Sequence, residues 1–166
     1  MPNINTFYRN LTPSSNLVYK NLLIVGSLYD EIKGVKYGLL AMVEILKKVP
    51  EAKLTILGLE YPEYVKNLAK ELGIENNVYW PGFTTNIIEY YLNTSVLLIP
   101  GISASSQLLI NEAKAHGLPI VAFNIDYAPS LQSGVILVDM LDYKEMAKKA
   151  IKLLNNYEYR RKKLFR

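Results

Sequence analysis

The chain has 166 residues, and 50% of them are hydrophobic. This length is enough for one well-buried domain and too short for two ordinary ones. It contains no cysteine and one histidine, so disulfides, thiolate metal sites and a cysteine nucleophile are excluded, and we expect no metal centre. The net charge of +4 is modest and mixed with acids, which favours small anionic ligands over nucleic acid, because a duplex usually meets a concentrated basic face.

The two ends of the chain differ in composition from its middle. Residues 1–18 are rich in Pro, Asn, Ser and Thr and show no period, so we expect a hinge or linker followed by one domain over residues 19–166. We also expect a soluble protein, because the start lacks the blocks of a signal peptide and no run approaches the about 20 apolar residues of a membrane helix. The basic end around Lys162 is interpreted as a solvated tail, with contact to a membrane surface as the alternative.

Between these ends, apolar runs of strand length alternate with segments of helical period. The runs are nearly continuous in Val, Ile and Leu, as strands covered on both faces should be, and they occupy 20–26, 52–58, 77–82, 95–100, 118–123 and 134–138. The helical segments are 35–48, 62–72, 86–92, 107–116 and 142–154. The alternation predicts an α/β fold, a Rossmann-like doubly wound sheet of about six parallel strands with helices on both faces.

The loop that leaves the first predicted strand is a candidate phosphate site, because ligands of open α/β sheets bind at the carboxyl ends of the strands. It has Gly26 at the strand end, Lys33 seven residues later and Gly34 directly before the helix. The spacing matches neither G-x-G-x-x-G nor a P-loop. The glycines could bring Lys33 against a phosphate near a helix start, and the alternative is an ordinary exposed lysine.

The loop that leaves the fourth predicted strand leads into a helix beginning at 105–107. The free amides of that first turn, which includes Gln107, form an anion site if the first and fourth strands are neighbours. Glu112 follows Leu108 and Leu109 by four and three residues, so we expect its carboxylate to point toward the sheet. Ribose hydroxyls are suitable donors for this group, and a neighbouring loop amide is the alternative. The helix ends near His116, which is interpreted as structural.

Four segments of the chain resemble a known family. They are GSLYDEIKGVKYGLLAMVEILKKVPEAKLTILG, ELGIENNVYWPGF, IIEYYLNTSVLLIPGISASSQLLINEAKAHGLPIVAF and DYKEMAKKAIKLLNNYEYRRKKL. In that order they look like the carboxyl-terminal domain of retaining GT-B glycosyltransferases, and the similarity spans about Lys20 to Leu164. The resemblance is specific for the fold and the superfamily and unspecific for the sugar.

The resemblance implies a domain that binds the nucleoside diphosphate part of a sugar donor, such as a UDP- or GDP-sugar, without a metal or other cofactor. It implies a cytoplasmic hexosyltransferase of polysaccharide, lipopolysaccharide or glycolipid synthesis, either free or peripheral at the inner face of the membrane. A separate amino-terminal domain would bind the acceptor, and we expect that it is not part of this chain. We therefore expect the isolated chain to be inactive in transfer, and membrane contact to occur only through the full-length enzyme.

Two family motifs fall on identifiable residues of this chain. The G-R-x…K-G loop falls on Gly26, Ser27, Lys33 and Gly34, where the lysine matches a role on the donor diphosphate and the arginine position is Ser27. The resemblance also places the backbone of 81–83, which consists of Pro81, Gly82 and Phe83, against the nucleobase.

The E-x7-E motif falls on Ala104 to Glu112. By resemblance, Glu112 binds the ribose hydroxyls, and the amides of Leu108 and Leu109 lie near the phosphates. The first glutamate, which faces the transferred sugar in the family, is Ala104 here, so no catalytic residue is assigned.

The substitutions at Ser27 and Ala104 keep two other functions open. The first is a non-catalytic or engineered GT-B-like domain that serves as a scaffold or interaction module. The second is a sugar-nucleotide epimerase of the same architecture, which would need further histidine and acid groups, whereas His116 is the only histidine of the chain.

Overall fold

A computed structural model describes residues 20–26, 33–59, 61–103, 107–125, 134–156, 158–159 and 162. The hinge predicted over 1–18 lies outside these residues. The strands are β1 (Asn21–Val25), β2 (Lys53–Leu57), β3 (Val78–Gly82), β4 (Val96–Ile99), β5 (Ile120–Phe123) and β6 (Val135–Val138). The helices are α1 (Val35–Leu46), α2 (Glu63–Glu71), α3 (Ile87–Leu92), α4 (Gln107–Ala115) and α5 (Tyr143–Asn155), with one 3₁₀ turn at Glu75–Asn77.

The six strands form one parallel sheet in the order β3-β2-β1-β4-β5-β6. β1 lies at its centre, where Leu22 pairs with Leu54 of β2 on one side and with Val96 of β4 on the other. The predicted α/β fold is therefore confirmed, and the helix ends lie within two residues of those predicted. The direction of winding reverses between β1 and β4, and the carboxyl edge of the sheet at such a switch point is where ligands of open α/β sheets usually bind.

The core has two layers, one on each face of the sheet. Alternate residues of β1 point to opposite faces: Leu22 and Ile24 belong to the layer under α1, α2 and α5, and Leu23 belongs to the layer under α3 and α4. All three are almost completely buried. Burial on both faces explains why the strands read as continuous apolar runs rather than alternating ones.

Local sequence signals fix the ends of the helices around this core. Asp142 caps α5, because its carboxylate accepts a hydrogen bond of 2.9 Å from the Glu145 amide. α2 ends before Gly73, whose φ of +69° is in the left-handed region. Within the ranges given above, no helix is long and apolar enough to cross a membrane.

Candidate functional site

The switch point between β1 and β4 is closed by a backbone contact. Gly34 precedes α1 with a φ of +68°, and a Cβ added to it would collide with the carbonyl oxygen of Pro100, directly after β4. Gly38, one turn later, would collide in the same way with the side chain of Ile24. Glycine at both positions lets the start of α1 lie against β1 and the end of β4. The first and fourth strand-end loops therefore meet, as the sequence predicted.

Lys33 lies at this junction, directly before Gly34. Its side chain is half-buried, and burial lowers its pKa below the usual value of 10.5, because removing an ammonium from water disfavours the charged form. The lysine is therefore partly removed from water, and its role at a phosphate stays a prediction. An anion placed beside Lys33 would offset part of the desolvation cost, so this position is suited to a phosphate.

Gly26, which the sequence assigned to a flexible loop, has a packing role in the structure. The Tyr61 hydroxyl donates a 2.7 Å hydrogen bond to the carbonyl oxygen of Leu57 and occupies the space above Gly26 and Gly58. A Cβ at Gly26 would collide with that hydroxyl. The Gly26 amide also donates to the Leu57 carbonyl at 2.7 Å, which extends the β1–β2 pairing beyond the strand. Gly26 is therefore fixed beneath Tyr61.

The predicted base-reading segment lies at the edge of the sheet. Pro81 and Gly82 end β3, and the Gly82 carbonyl already accepts a 3.1 Å hydrogen bond from the Gly58 amide. Phe83 follows and is 65% exposed. β3 is two strands from β1, about 10 Å away, so a ligand must extend along the carboxyl edge to touch both loops.

Helix α4 has a different buried face from the one expected. Ile110 and Ala113 are completely buried, whereas Leu108 is 70% exposed and Leu109 is only partly buried. The expectation that Leu108 and Leu109 mark the inward side is thus wrong for Leu108. Side chains three apart share a face, so the stripe through Ile110 and Ala113 meets the sheet. Gln107 is exposed at the start of the described helix.

Glu112 lies on the flank of α4 that faces α3, and it does not point at the sheet. The helical rotation that buries Ala113 moves Glu112 to the side, where it is half-buried. There its Oε2 accepts a hydrogen bond of 3.1 Å from the hydroxyl of Tyr91. Burial first, and then the nearby charge of Glu112, raise the pKa of Tyr91, so the phenol stays protonated and donates.

His116 contacts both Glu112 and Tyr91. Its Nδ1 lies 2.8 Å from the carbonyl oxygen of Glu112, which accepts the bond. The His116 ring is also 5.1 Å from the Tyr91 ring, between centroids. Both contacts support the structural role predicted for this histidine.

Three residues with contacts around the candidate site were missed by sequence reasoning: Tyr61 and Pro100 at the carboxyl edge, and Tyr91 beside Glu112. The helical period around Tyr91 indicates burial, but nothing in it signals a hydroxyl directed at a carboxylate. Ser27 and Ala104, at the two departures from the family motifs, lie outside the described residues. Among the residues that are described, no three His, Asp or Glu side chains cluster in a way that could hold a metal ion.

A concavity of about 490 Å³ lies between α1 and α5. Lysines dominate its wall, and two of them are paired with neighbouring acids on the same helices, Lys47 with Glu44 and Lys148 with Glu145. Such exposed pairs are typical of solvated helix faces. The switch point between β1 and β4 remains the candidate site.

Comparison with known proteins identifies the family. The model described as "Glycosyl transferases group 1" matches residues 19–156. An uncharacterized glycosyltransferase of Haemophilus influenzae is 36% identical over 151 residues, which are 87% of this chain and 42% of that protein. The chain thus spans less than half the length of this relative.

Solved structures agree on the fold. The carboxyl-terminal domain of a glycosyl transferase group 1 family protein (LpcC) from Francisella tularensis has a TM-score of 0.78 at 16% identity, covering 93% of this chain and 88% of that one. A mutant of S. aureus TarM, solved in complex with UDP, has a TM-score of 0.78 at 22% identity, covering 88% of this chain and 31% of that one. The chain therefore belongs to the group 1 glycosyltransferases, and its fold is that of their carboxyl-terminal GT-B domain.

Proposed function

We propose that this chain binds the nucleoside diphosphate part of a sugar nucleotide and so serves as the donor-binding domain of a glycosyltransferase. The observation that carries the proposal is the contact of Gly34 with Pro100. It brings a half-buried lysine together with the loop that leads from β4 to α4, at the switch point of a doubly wound sheet.

The diphosphate would lie between Lys33 and the start of α4. The first amides of a helix lack intrahelical partners and carry the positive end of its dipole, and a lysine adds a full charge. The amides of Leu108 and Leu109, in the first described turn of α4, belong to this group.

The nucleoside would extend from there over α3 and α4. Glu112 is five residues after Gln107, about 7.5 Å along the helix, a spacing suited to a ribose whose diphosphate lies at the helix start. Pro81, Gly82 and Phe83 would lie beside the base, because the loop that contains Phe83 leads directly into α3.

Titration with nucleotides tests the diphosphate assignment. Lys33→Ala should weaken UDP about 10-fold or more and leave uridine within about 2-fold, because a charge-assisted contact exists only where there is a phosphate. UDP is the first probe because the similar TarM protein was solved with it, and GDP is the second. Lys36→Ala is the matched control, since Lys36 is the exposed second residue of α1. Equal losses of UDP and uridine would reject the assignment.

The activity of the whole protein is also part of the proposal: transfer of a hexose in polysaccharide, lipopolysaccharide or glycolipid synthesis. Orienting two reactants contributes on the order of 7 to 11 kcal/mol to such a reaction, and the amino-terminal acceptor domain is expected to do this. The isolated chain should therefore hydrolyse UDP-sugars slowly at most. Release of UDP that rises on adding a sugar acceptor would contradict this expectation.

The scaffold alternative is not favoured by the comparisons, since the relatives reported above are glycosyltransferases. It makes the opposite prediction in the same titration. A folded chain that binds neither UDP nor GDP, with no rise in melting temperature, would support it, because a ligand that binds only the native state must raise apparent stability.

A further inference from the structure

Tyr91 is a buried tyrosine whose hydroxyl contacts Glu112, the residue proposed to bind ribose. Only 2% of it is exposed, and the rest packs in the layer under α3 and α4. A buried hydroxyl needs a partner, and here the partner is Oε2 of Glu112 at 3.1 Å. Among the described residues, the structure gives the Glu112 carboxylate no other hydrogen bond.

The hydrogen bond has a fixed direction. Burial and the Glu112 charge both favour the neutral phenol, so Tyr91 donates throughout the physiological pH range. A carboxylate only accepts, with about four lone-pair positions on two oxygens. Tyr91 occupies one of them on Oε2 and leaves the lone pairs of Oε1 for other donors.

The backbone of Glu112 is held as well. The His116 amide and its Nδ1 both approach the Glu112 carbonyl, at 3.2 Å and 2.8 Å, and the His116 ring packs against Tyr91. His116 thus restrains the carbonyl of Glu112, and Tyr91 of α3 restrains its carboxylate. A glutamate restrained at both ends loses little rotamer freedom when a ligand binds.

We propose that Tyr91 is a positioning residue for ribose recognition: its hydroxyl fixes the Glu112 carboxylate so that the second oxygen is presented to the ribose hydroxyls. This inference rests on the proposed function, in which Glu112 binds ribose. Tyr91 itself does not touch the ligand, and it acts through Glu112.

A purely structural role predicts something different. If the bond only satisfies a buried phenol, its removal changes the stability of the fold and affects all ligands alike. If it orients Glu112, its removal affects only ligands that carry ribose hydroxyls. The ratio of affinities for UDP and 2′,3′-dideoxy-UDP separates the two roles, because both ligands share the base and the diphosphate.

The experiment measures this ratio calorimetrically for the wild-type chain, Tyr91→Phe, Glu112→Gln and the double variant. Tyr91→Phe removes one oxygen and keeps the ring that packs on His116. Tyr90→Phe is the matched control, since Tyr90 is the preceding residue of α3 and is only half-buried. Substitution of Tyr91 by p-aminophenylalanine restores a donor at the same place, and circular dichroism verifies that each variant is folded.

We expect the wild-type chain to prefer UDP, and Tyr91→Phe to reduce that preference about 3- to 10-fold with dideoxy-UDP affinity unchanged. Tyr90→Phe and the p-aminophenylalanine variant should keep the wild-type ratio. In the Glu112→Gln background, Tyr91→Phe should have a smaller effect than in the wild type, because residues that act through one contact are not additive.

Two results would overturn the inference in distinguishable ways. If the wild-type chain prefers UDP and Tyr91→Phe keeps that preference or weakens both ligands equally, Tyr91 is structural while the proposed function stands. If the wild-type chain binds neither ligand, or binds both equally, the ribose assignment of Glu112 fails and the role of Tyr91 fails with it. Should Tyr91→Phe not fold, a reduced ratio in the p-aminophenylalanine variant would also count against the inference.

Discussion

Gly34 and Pro100 are in direct backbone contact across the switch point of the sheet. A side chain at Gly34 would collide with the Pro100 carbonyl oxygen, and its φ of +68° already lies in the region that L side chains rarely adopt. Glycine is therefore required for two reasons: the positive φ, and the lack of space for a Cβ next to Pro100. The contact fixes how closely the loop with Lys33 approaches the end of β4.

Substitution of this glycine should be more harmful than its conformation alone explains. Gly34→Ala is expected to lower the free energy of unfolding by more than about 3 kcal/mol, the sum of left-handed strain and a backbone collision. Gly73→Ala is the matched control, because Gly73 has a φ of +69° and open space around its Cα. It should cost about 1 to 2 kcal/mol. Urea unfolding measures both, and equal costs would show that the Pro100 contact is readily relaxed.

Gly26 and Tyr61 should show coupled effects. Gly26→Ala adds a methyl group where the Tyr61 hydroxyl lies, so the tyrosine must move and its 2.7 Å bond to the Leu57 carbonyl weakens. Tyr61→Phe alone should cost about 1 kcal/mol, since the Leu57 carbonyl keeps its bond from the Gly26 amide. The double variant should be more stable than the sum of the single losses predicts, by about 1 kcal/mol. Strict additivity in thermal unfolding would mean that the two positions do not compete for space.

The fold could be predicted from the sequence because its signals are local and repeated. Each strand is an apolar run bounded by turn residues, and each helix has a period or a cap, such as Asp142 before α5. Because the strands are buried on both faces and alternate with helices, a parallel sheet is the arrangement that this pattern favours.

The site could be predicted only in part, since its chemistry depends on contacts between distant residues. The meeting of the first and fourth strand-end loops followed from the rule for parallel sheets. The direction of the Glu112 side chain could not be predicted in this way. Leu108 and Ile110 are equally apolar and lie on different faces of the helix, so the sequence does not show which face is buried. The role of Gly26 beneath Tyr61 likewise depends on a residue 35 positions away.

Ala104 offers a test of the sugar-facing half of the proposed site. By resemblance to the family motif we place Ala104 at the position of its first glutamate, and a methyl group can neither accept a bond from a sugar hydroxyl nor stabilise positive charge. Ala104→Glu is therefore expected to tighten a UDP-sugar relative to UDP by about 1 to 3 kcal/mol. Calorimetry with both ligands checks this. An equal change for the two ligands would show that the motif is wrongly assigned to Ala104 and Glu112.

Lys33 provides a pH-dependent test. Burial lowers its pKa below the usual 10.5, so between the two values the unfolded chain binds more protons than the folded chain. The folded state bears the cost of a buried charge below the lowered pKa, and that cost is relieved as the pH rises through it. Lys33→Met should therefore be more stable than the wild-type chain near neutral pH, and the difference should shrink as the pH rises through the lowered pKa toward the usual 10.5. Urea unfolding across this range measures it.

The affinity for UDP should change in the opposite direction. Below its lowered pKa, Lys33 is charged and attracts the diphosphate, and above it the attraction is lost, so the wild-type chain should bind UDP more weakly as the pH rises. Lys33→Met lacks this dependence but experiences the same ionisation of the ligand, so the difference between the two chains isolates the lysine. Lys36→Met, which removes an exposed charge three residues later in the chain, should follow the wild-type curve. Parallel curves for the wild-type chain and Lys33→Met would place the diphosphate away from Lys33 and so remove the main support for a phosphate site at the switch point.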